Sequence, residues 1–165
     1  MTIMRVILVG TELSDADKQT LAQRMIGAFA EVEVGHDAPA VRAGFLVHFE
    51  QVAPGDLIMG DRPMVAAGTS GRAAVVTTQV MAGPWTPGMK AEIFRRIETI
   101  VREVAEIPRS GAGADFWMTI VEVPEGGWGF GGEPVSIGKL APVFAEDRQQ
   151  RIQRYLDDRD ERGSR

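Results

Sequence analysis

Apolar, largely β-branched residues run from Ile3 to Val9 and stop at Gly10, which predicts a buried strand. A helix follows. Ser14 stands in the capping position with Asp17 three residues on, and Leu21, Ala22, Met25, Ile26 and Phe29 recur at helical spacing to give one apolar face ending near Phe29. Gly35 to Pro39 reads as a turn, and Gly44–Val52 as a second strand closed by Pro54-Gly55. The order then recurs. Ala73–Met81 is an apolar strand closed by Gly83, and Thr86-Pro87 supplies a cap and a first-turn proline. Ile93, Phe94, Ile97, Ile100, Val101 and Val104 form the buried face of the helix that follows. Pro108 and Ser110–Gly113 break it, and Phe116–Val123 is a fourth strand ending at Pro124.

The recurrence is a repeat in residues as well as in elements. Phe45 and Phe116, Val52 and Val123, Gly55 and Gly126, Gly60 and Gly131, and Pro63 and Pro134 all match at one offset of 71. Such repetition marks a duplicated supersecondary unit. The predicted class is α+β: two β-α-β units, 1–67 and 73–137, forming a four-stranded sheet with two helices on one face. The other face, read as equally apolar, then needs a cover, and a second copy of the chain supplies it. The units make one domain over residues 1–144. Residues 145–165 read as a polar helix and tail with a small stripe of Ile152, Tyr155 and Leu156. Between these parts, Gly126–Gly132 with Trp128 and Phe130 reads as a hairpin.

At 165 residues one domain can bury roughly 70% of its unfolded surface, so a full core is available. The formal charge of −5 repels phosphate backbones, and the arginines near the C-terminus alternate with acids, so no nucleic-acid partner is expected. Apolar runs such as Val6–Val9 fall well short of the ~20 residues of a membrane span, and the first residues lack a signal-peptide pattern. No membrane association is expected, and the expected location is cytoplasmic. The absence of cysteine removes thiolate chemistry and disulfides.

Side chains with chemical potential are few. His36 and His48 are the only histidines and lack ligand spacing, so no metal and no cofactor are expected. His36-Asp37 offers an acid–base pair if the two side chains meet, against the plainer reading of a solvated loop. His48 reads as a structural, hydrogen-bonded histidine. Gly68-Thr69-Ser70-Gly71-Arg72 offers backbone amides and Arg72 to an anion, against a plain linker. Trp117, Trp128 and Phe130 read as core unless a pocket recruits them.

Val121-Glu122-Val123-Pro124 followed by Gly127-Trp128-Gly129-Phe130-Gly131-Gly132-Glu133 resembles the closing motif of the tautomerase superfamily, the relatives of 4-oxalocrotonate tautomerase. With the duplication, the chain resembles fused two-unit members. The stretch from Pro54-Gly55 to Gly71–Val76 is similar to the linker region of malonate semialdehyde decarboxylase. The resemblance covers roughly Met1 to Ile137 and implies a homotrimer in which three sheets form a barrel.

The resemblance also implies chemistry at an N-terminal proline held in an apolar pocket and at arginines that clamp substrate carboxylates. Met1 occupies the proline position, and the second unit starts near Ala74, inside the chain. The arginine positions fall on Thr11, on Pro84 after Gly83, and on Leu46 and Trp117. The implied catalytic candidates are therefore the Met1 amine, Thr2 (which would carry the terminal amine one residue late if Met1 were removed) and His36. The implied walls of the site are Trp117, Trp128, Leu46 and Phe130, with Arg72 the candidate for an anion. Replacing arginine by tryptophan removes charge and adds apolar surface, so the expected ligand is a small neutral or aromatic molecule. The expected function is acid–base chemistry on a small oxo or enol compound. The alternative is a homotrimeric binding or structural protein without activity.

Overall fold

The computed structural model describes residues 1–65, 71–109 and 115–163. The elements are β1 (Thr2–Val9), α1 (Asp15–Phe29) continued by a π turn (Ala30–Val34), α2 (Pro39–Arg42), β2 (Phe45–Val52), β3 (Ile58–Met59) and β4 (Arg62–Pro63). The second half holds β5 (Ala73–Met81), α3 (Pro87–Val104), β6 (Phe116–Val123), β7 (Gly129–Phe130), β8 (Glu133–Pro134), α4 (Ile137–Leu140), a 3-10 turn (Ala141–Val143) and α5 (Glu146–Gly163). The central sheet runs β2-β1-β5-β6. Its outer pairs are parallel, as a crossover helix requires, and β1 meets β5 antiparallel at the centre. The fold class is thus α+β with a mixed four-stranded sheet. The offset of 71 is visible in three dimensions: Ile58 pairs with Pro63 in the β3–β4 hairpin, and Gly129 with Pro134 in the β7–β8 hairpin. Gly68–Ser70 of the proposed anion loop and Ser110–Gly113 lie outside the described residues.

Local chemistry sets the helix starts. Ser14 accepts from the Asp17 amide at 3.2 Å and donates to Asp17 Oδ2 at 2.6 Å. Thr86 accepts from the Met89 amide at 3.2 Å, with Pro87 in the first turn, where its missing N–H costs nothing. The buried faces of α1 (Leu21, Met25, Phe29) and α3 (Ile93, Ile97, Val101) close on Met4, Val6 and Leu8 of β1 and Ala74, Val76 and Val80 of β5. Gly10 ends β1 at φ +65°, and a Cβ there would stand 1.9 Å from the Gly71 carbonyl oxygen, so only glycine fits the crossing.

The opposite face corrects an expectation. It is not uniformly apolar: His48, Arg5, Thr77 and Thr119 align across all four strands as a polar row, and Arg5 Nη2 donates to Glu50 Oε2 at 2.5 Å. His48, expected as a structural, hydrogen-bonded histidine, is exposed on this face. Apolar side chains flank the row, with Leu46 54% and Trp117 55% exposed.

The C-terminal segment does more than trail the domain. Ile137, Phe144 and Ile152 pack with Val34, Val41, Met81 and Trp128 into a second cluster, against which Met1, Ile3, Phe45 and Val123 also rest. This cluster sits at the sheet end where β1 and β2 begin and β5 and β6 finish. The other end is closed by Met64 and Val65 against Val9 and Ala73.

Candidate active site

The apolar face of α1 recurs through Met25 and Phe29, and the next position at helical spacing is Glu33. The π turn that extends α1 closes with the Gly35 amide donating to the Ala30 carbonyl at 3.0 Å. It splits two acids that look alike in sequence. Glu31 points to solvent and accepts from Arg96 Nη1 at 2.6 Å, whereas Glu33 is 2% exposed. The signal was present in the spacing, but the polar character of Glu33 and the turn at Gly35 hide it from a reading that ends the helix at Phe29.

Glu33 lies beside the start of β1. Thr2 Oγ1 donates to Glu33 Oε2 at 2.7 Å, and Glu33 Oε1 is buried with no hydrogen-bond partner. Met1 and Glu33 line one cavity of about 110 Å³ whose other walls are Val34, Ala40, Val41, Gly44, Phe45, Leu140, Val143 and Phe144. Burial pushes the Glu33 carboxyl up to about 7, against the opposing pull of the Met1 charge and the Thr2 hydroxyl. Burial likewise holds the Met1 amine below its ordinary value of 8.0, although the Glu33 charge opposes this. Desolvation therefore drives both groups toward their neutral forms. A carboxylic acid that titrates at about 7 and an amine held below its ordinary value, lining one apolar cavity, can act as acid and base on a bound ligand.

The C-terminal segment builds this desolvation. Leu140, Val143 and Phe144 wall the cavity, the Ala145 amide donates to the Val34 carbonyl at 2.8 Å, and Arg148 Nη2 donates to the Val32 carbonyl at 3.2 Å. The two carbonyls flanking Glu33 are thus both held from one side. Gly35 at φ +98° permits the approach, since a Cβ there would meet the Ala145 Cβ at 2.5 Å.

Of the residues singled out in the sequence, the structure joins Met1 and Thr2 here, places Trp128 in the apolar cluster on which Met1 rests, and leaves the others elsewhere in the chain. His36 is exposed, and its neighbour Asp37 accepts from Arg42 Nε at 2.6 Å and Nη2 at 2.5 Å. Trp117 lines a separate cavity of about 250 Å³ with Leu57, Ile58, Met59, Met64 and Val75. Leu46 borders another with Ile3, Arg5, His48, Thr77 and Gln79. Trp128 is buried in the cluster under the C-terminal segment, and Phe130 is 73% exposed on its hairpin. Arg72 Nη1 donates to Glu106 Oε2 at 3.0 Å. Glu33 is the member of the site that the sequence reading missed.

Strand pairing aligns the two units closely. Gly10 donates to the Val52 carbonyl as Ala82 donates to the Val123 carbonyl, so Thr11 corresponds to Gly83, one residue before the Pro84 assigned from sequence. Neither is an arginine. Thr2 pairs with Phe45 as Ala74 pairs with Phe116, so Met1 corresponds to Ala73, which is fully buried and internal. Among the described residues, no three histidine, aspartate or glutamate side chains converge as metal ligands, and no helix is long and apolar enough to cross a membrane.

This architecture is the fold of the tautomerase superfamily. A wild-type fused 4-OT solved as a symmetric trimer superimposes with a TM-score of 0.62 at 19% identity, covering 81% of this chain and 94% of that one. A native fused 4-OT gives 0.62 at 21% identity over 80% of this chain and 94% of its own. Macrophage migration inhibitory factor of Toxoplasma gondii gives 0.60 at 14% identity over 81% of this chain and 99% of its own. No family profile and no curated protein matches the sequence.

Proposed function

We propose that the chain performs acid–base chemistry on a small, neutral, largely apolar oxo or enol compound, with Glu33 and the Met1 amine exchanging protons with the ligand and Thr2 orienting Glu33. The observation that carries this is the Glu33 carboxyl, 2% exposed with Oε1 unpartnered, in a cavity shared with Met1. A structural glutamate at such a site would have both oxygens bonded, because an unpaired buried polar atom costs about 1–3 kcal/mol. The ligand class follows from the walls. They are apolar apart from Met1 and Glu33, and among the described residues no arginine lines the cavity, so a carboxylate would lose its hydration without gaining a partner. The test is deuterium exchange at the α-carbon of small neutral ketones, followed by NMR in D2O. Exchange should fall about 100-fold in Glu33→Gln, within the usual range for a general acid–base group. Equal exchange in the wild type and the variant would remove Glu33 from the chemistry.

The assembly that fits this chain is a homotrimer. The fused 4-OT neighbour solved as a symmetric trimer supports it, as do the apolar side chains left uncovered in one chain: Leu46, Ile58, Trp117, Val121 and Phe130. Light scattering should give the mass of three chains, and a monomer at micromolar concentration would refute the barrel. The absence of arginine from the cavity supports an inactive binding protein as the second reading, in which neutral ligands bind without α-carbon exchange.

A further inference from the structure

A groove of about 660 Å³ runs along the seam between α1 and α3, on the side of the helices turned away from the sheet. Two ion pairs cross this seam. Arg24 Nη2 donates to Glu103 Oε2 at 2.5 Å, and Arg96 Nη1 donates to Glu31 Oε2 at 2.6 Å. Each helical stretch advances seven residues from one pair to the other, about 10 Å along the axis. Between the pairs the groove is floored by Gly27, Ala28, Thr99 and Ile100, of which Ala28 and Ile100 are buried in the core below. Arg42 reaches in from α2 and donates to the Gln23 carbonyl at 3.3 Å. Gly27 leaves room for it, since a Cβ there would stand 3.1 Å from Arg42 Nη2.

We propose that this groove is a binding site for a compact oligophosphate. Arg24, Arg42, Arg95 and Arg96 line it against two acids, Glu31 and Asp37, so its lining is positive in a chain of net charge −5. Both of those acids are already engaged, Glu31 by Arg96 and Asp37 by Arg42 Nε and Nη2 at 2.6 and 2.5 Å. Glu92 and Glu103 hold Arg95, Arg96 and Arg24 from outside the lining. Arg24 Nε and Nη1, Arg95 Nη1 and Arg96 Nη2 have no hydrogen bond among the described residues, so the arginines of the groove keep donors for a ligand.

The existing pairs select the ligand. These guanidiniums already have carboxylate partners, so a carboxylate ligand exchanges like for like and gains little. A phosphate group carries more charge and three acceptor oxygens, and a guanidinium fork takes two of them at once. The volume lies within the usual range for small-molecule sites, and the 10 Å between the ion pairs suits a short chain of phosphates. An extended polyanion is repelled by the acidic chain as a whole, whereas a compact one is screened from charges beyond about 8 Å and meets the groove alone.

The test is calorimetric titration of the full-length protein with inorganic tripolyphosphate at physiological salt. The expected result is saturation at one anion per chain. Binding should weaken at least tenfold in the double variant Arg24→Gln/Arg95→Gln and stay unchanged in Arg62→Gln, whose guanidinium pairs with Asp61 on the β3–β4 hairpin. Glu103→Gln should bind at least threefold tighter, because it removes a competing carboxylate and leaves every arginine in place; damage to the fold cannot produce that sign, and circular dichroism verifies that each variant is folded. ATP should bind no more tightly than tripolyphosphate, since no aromatic side chain lines the groove to stack on a base. ATP binding tenfold tighter would keep the site and make its ligand a nucleotide. Citrate should bind at least tenfold more weakly. Failure to saturate, a Kd unchanged in the double variant, unchanged or weaker binding in Glu103→Gln, or citrate equal to tripolyphosphate would each overturn the proposal. A hexaglutamate peptide binding more tightly than tripolyphosphate would overturn it in favour of an acidic protein segment.

Discussion

Replacing Glu33 by glutamine should make stability less sensitive to pH, in a direction opposite to the usual behaviour of a carboxylate. The folded carboxyl titrates at about 7 and the unfolded one at 4.5. Between these values the folded chain binds more protons than the unfolded chain, so raising the pH through this window destabilises the fold. The shift corresponds to about 3 kcal/mol, from about 1.4 kcal/mol for each pH unit. The loss begins near pH 4.5 and is complete just above pH 7. The Met1 amine works in the opposite sense, because its lowered value makes stability rise with pH up to 8.0, but it is present in both proteins and largely cancels in their difference. Glutamine retains an oxygen for the Thr2 hydroxyl and never ionises. The stability of Glu33→Gln relative to the wild type should therefore climb by about 3 kcal/mol from pH 4.5 to pH 7.5. For a domain of this size that is a relative rise in Tm of roughly 6–12 °C. Urea unfolding at a fixed protein concentration, repeated at half-unit pH steps, measures it. A difference that stays constant across that range would mean that Glu33 is hydrated and ionised throughout, and the account of the cavity would fail with it.

Much of the fold was legible because its signals are local and repeated. Ser14 and Thr86-Pro87 mark helix starts by their own hydrogen-bonding chemistry, and the glycine–proline spacing at offset 71 returns as two hairpins of the same register. The site was half legible. Met1 and Thr2 come from the register of the first strand, which the resemblance fixes. Glu33 continues the Met25–Phe29 spacing, but it is an acid and lies beyond the expected end of the helix, so the apolar pattern does not mark it. Trp117 was expected as a wall supplied by a different unit or a neighbouring chain. Within one chain it pairs with Val75 on the face away from the helices. The polar row of Arg5, His48, Thr77 and Thr119 escaped for a related reason: each residue is isolated in its own strand, and only pairing aligns them.

Gly10→Ala should destabilise the chain by about 2–4 kcal/mol in urea unfolding, since the new methyl meets the Gly71 carbonyl and φ is +65°; a loss below about 0.5 kcal/mol would show that the crossing can relax. Arg102→Ala should cost about 3–5 kcal/mol, because it removes the charge that pairs with Asp115, which accepts from Arg102 Nη2 at 2.7 Å with both side chains nearly buried; an unchanged midpoint would mean that the pair contributes nothing net to the fold. Phe144→Ala should show a cost that depends on pH. Truncating a buried phenylalanine ordinarily costs about 3–5 kcal/mol. Phe144 is also a wall of the cavity that keeps Glu33 dry, so its removal admits water and lets the carboxyl fall back toward 4.5. At pH 5 the wild-type carboxyl is protonated and gains little from hydration, so the full packing loss is felt. At pH 8 it is ionised, and hydration returns up to about 3 kcal/mol to the variant. The measured cost should therefore be larger at pH 5 than at pH 8. Equal costs at the two values would show that Phe144 packs beside the site without controlling its water, and the C-terminal segment would then be a structural cap and no part of the chemistry.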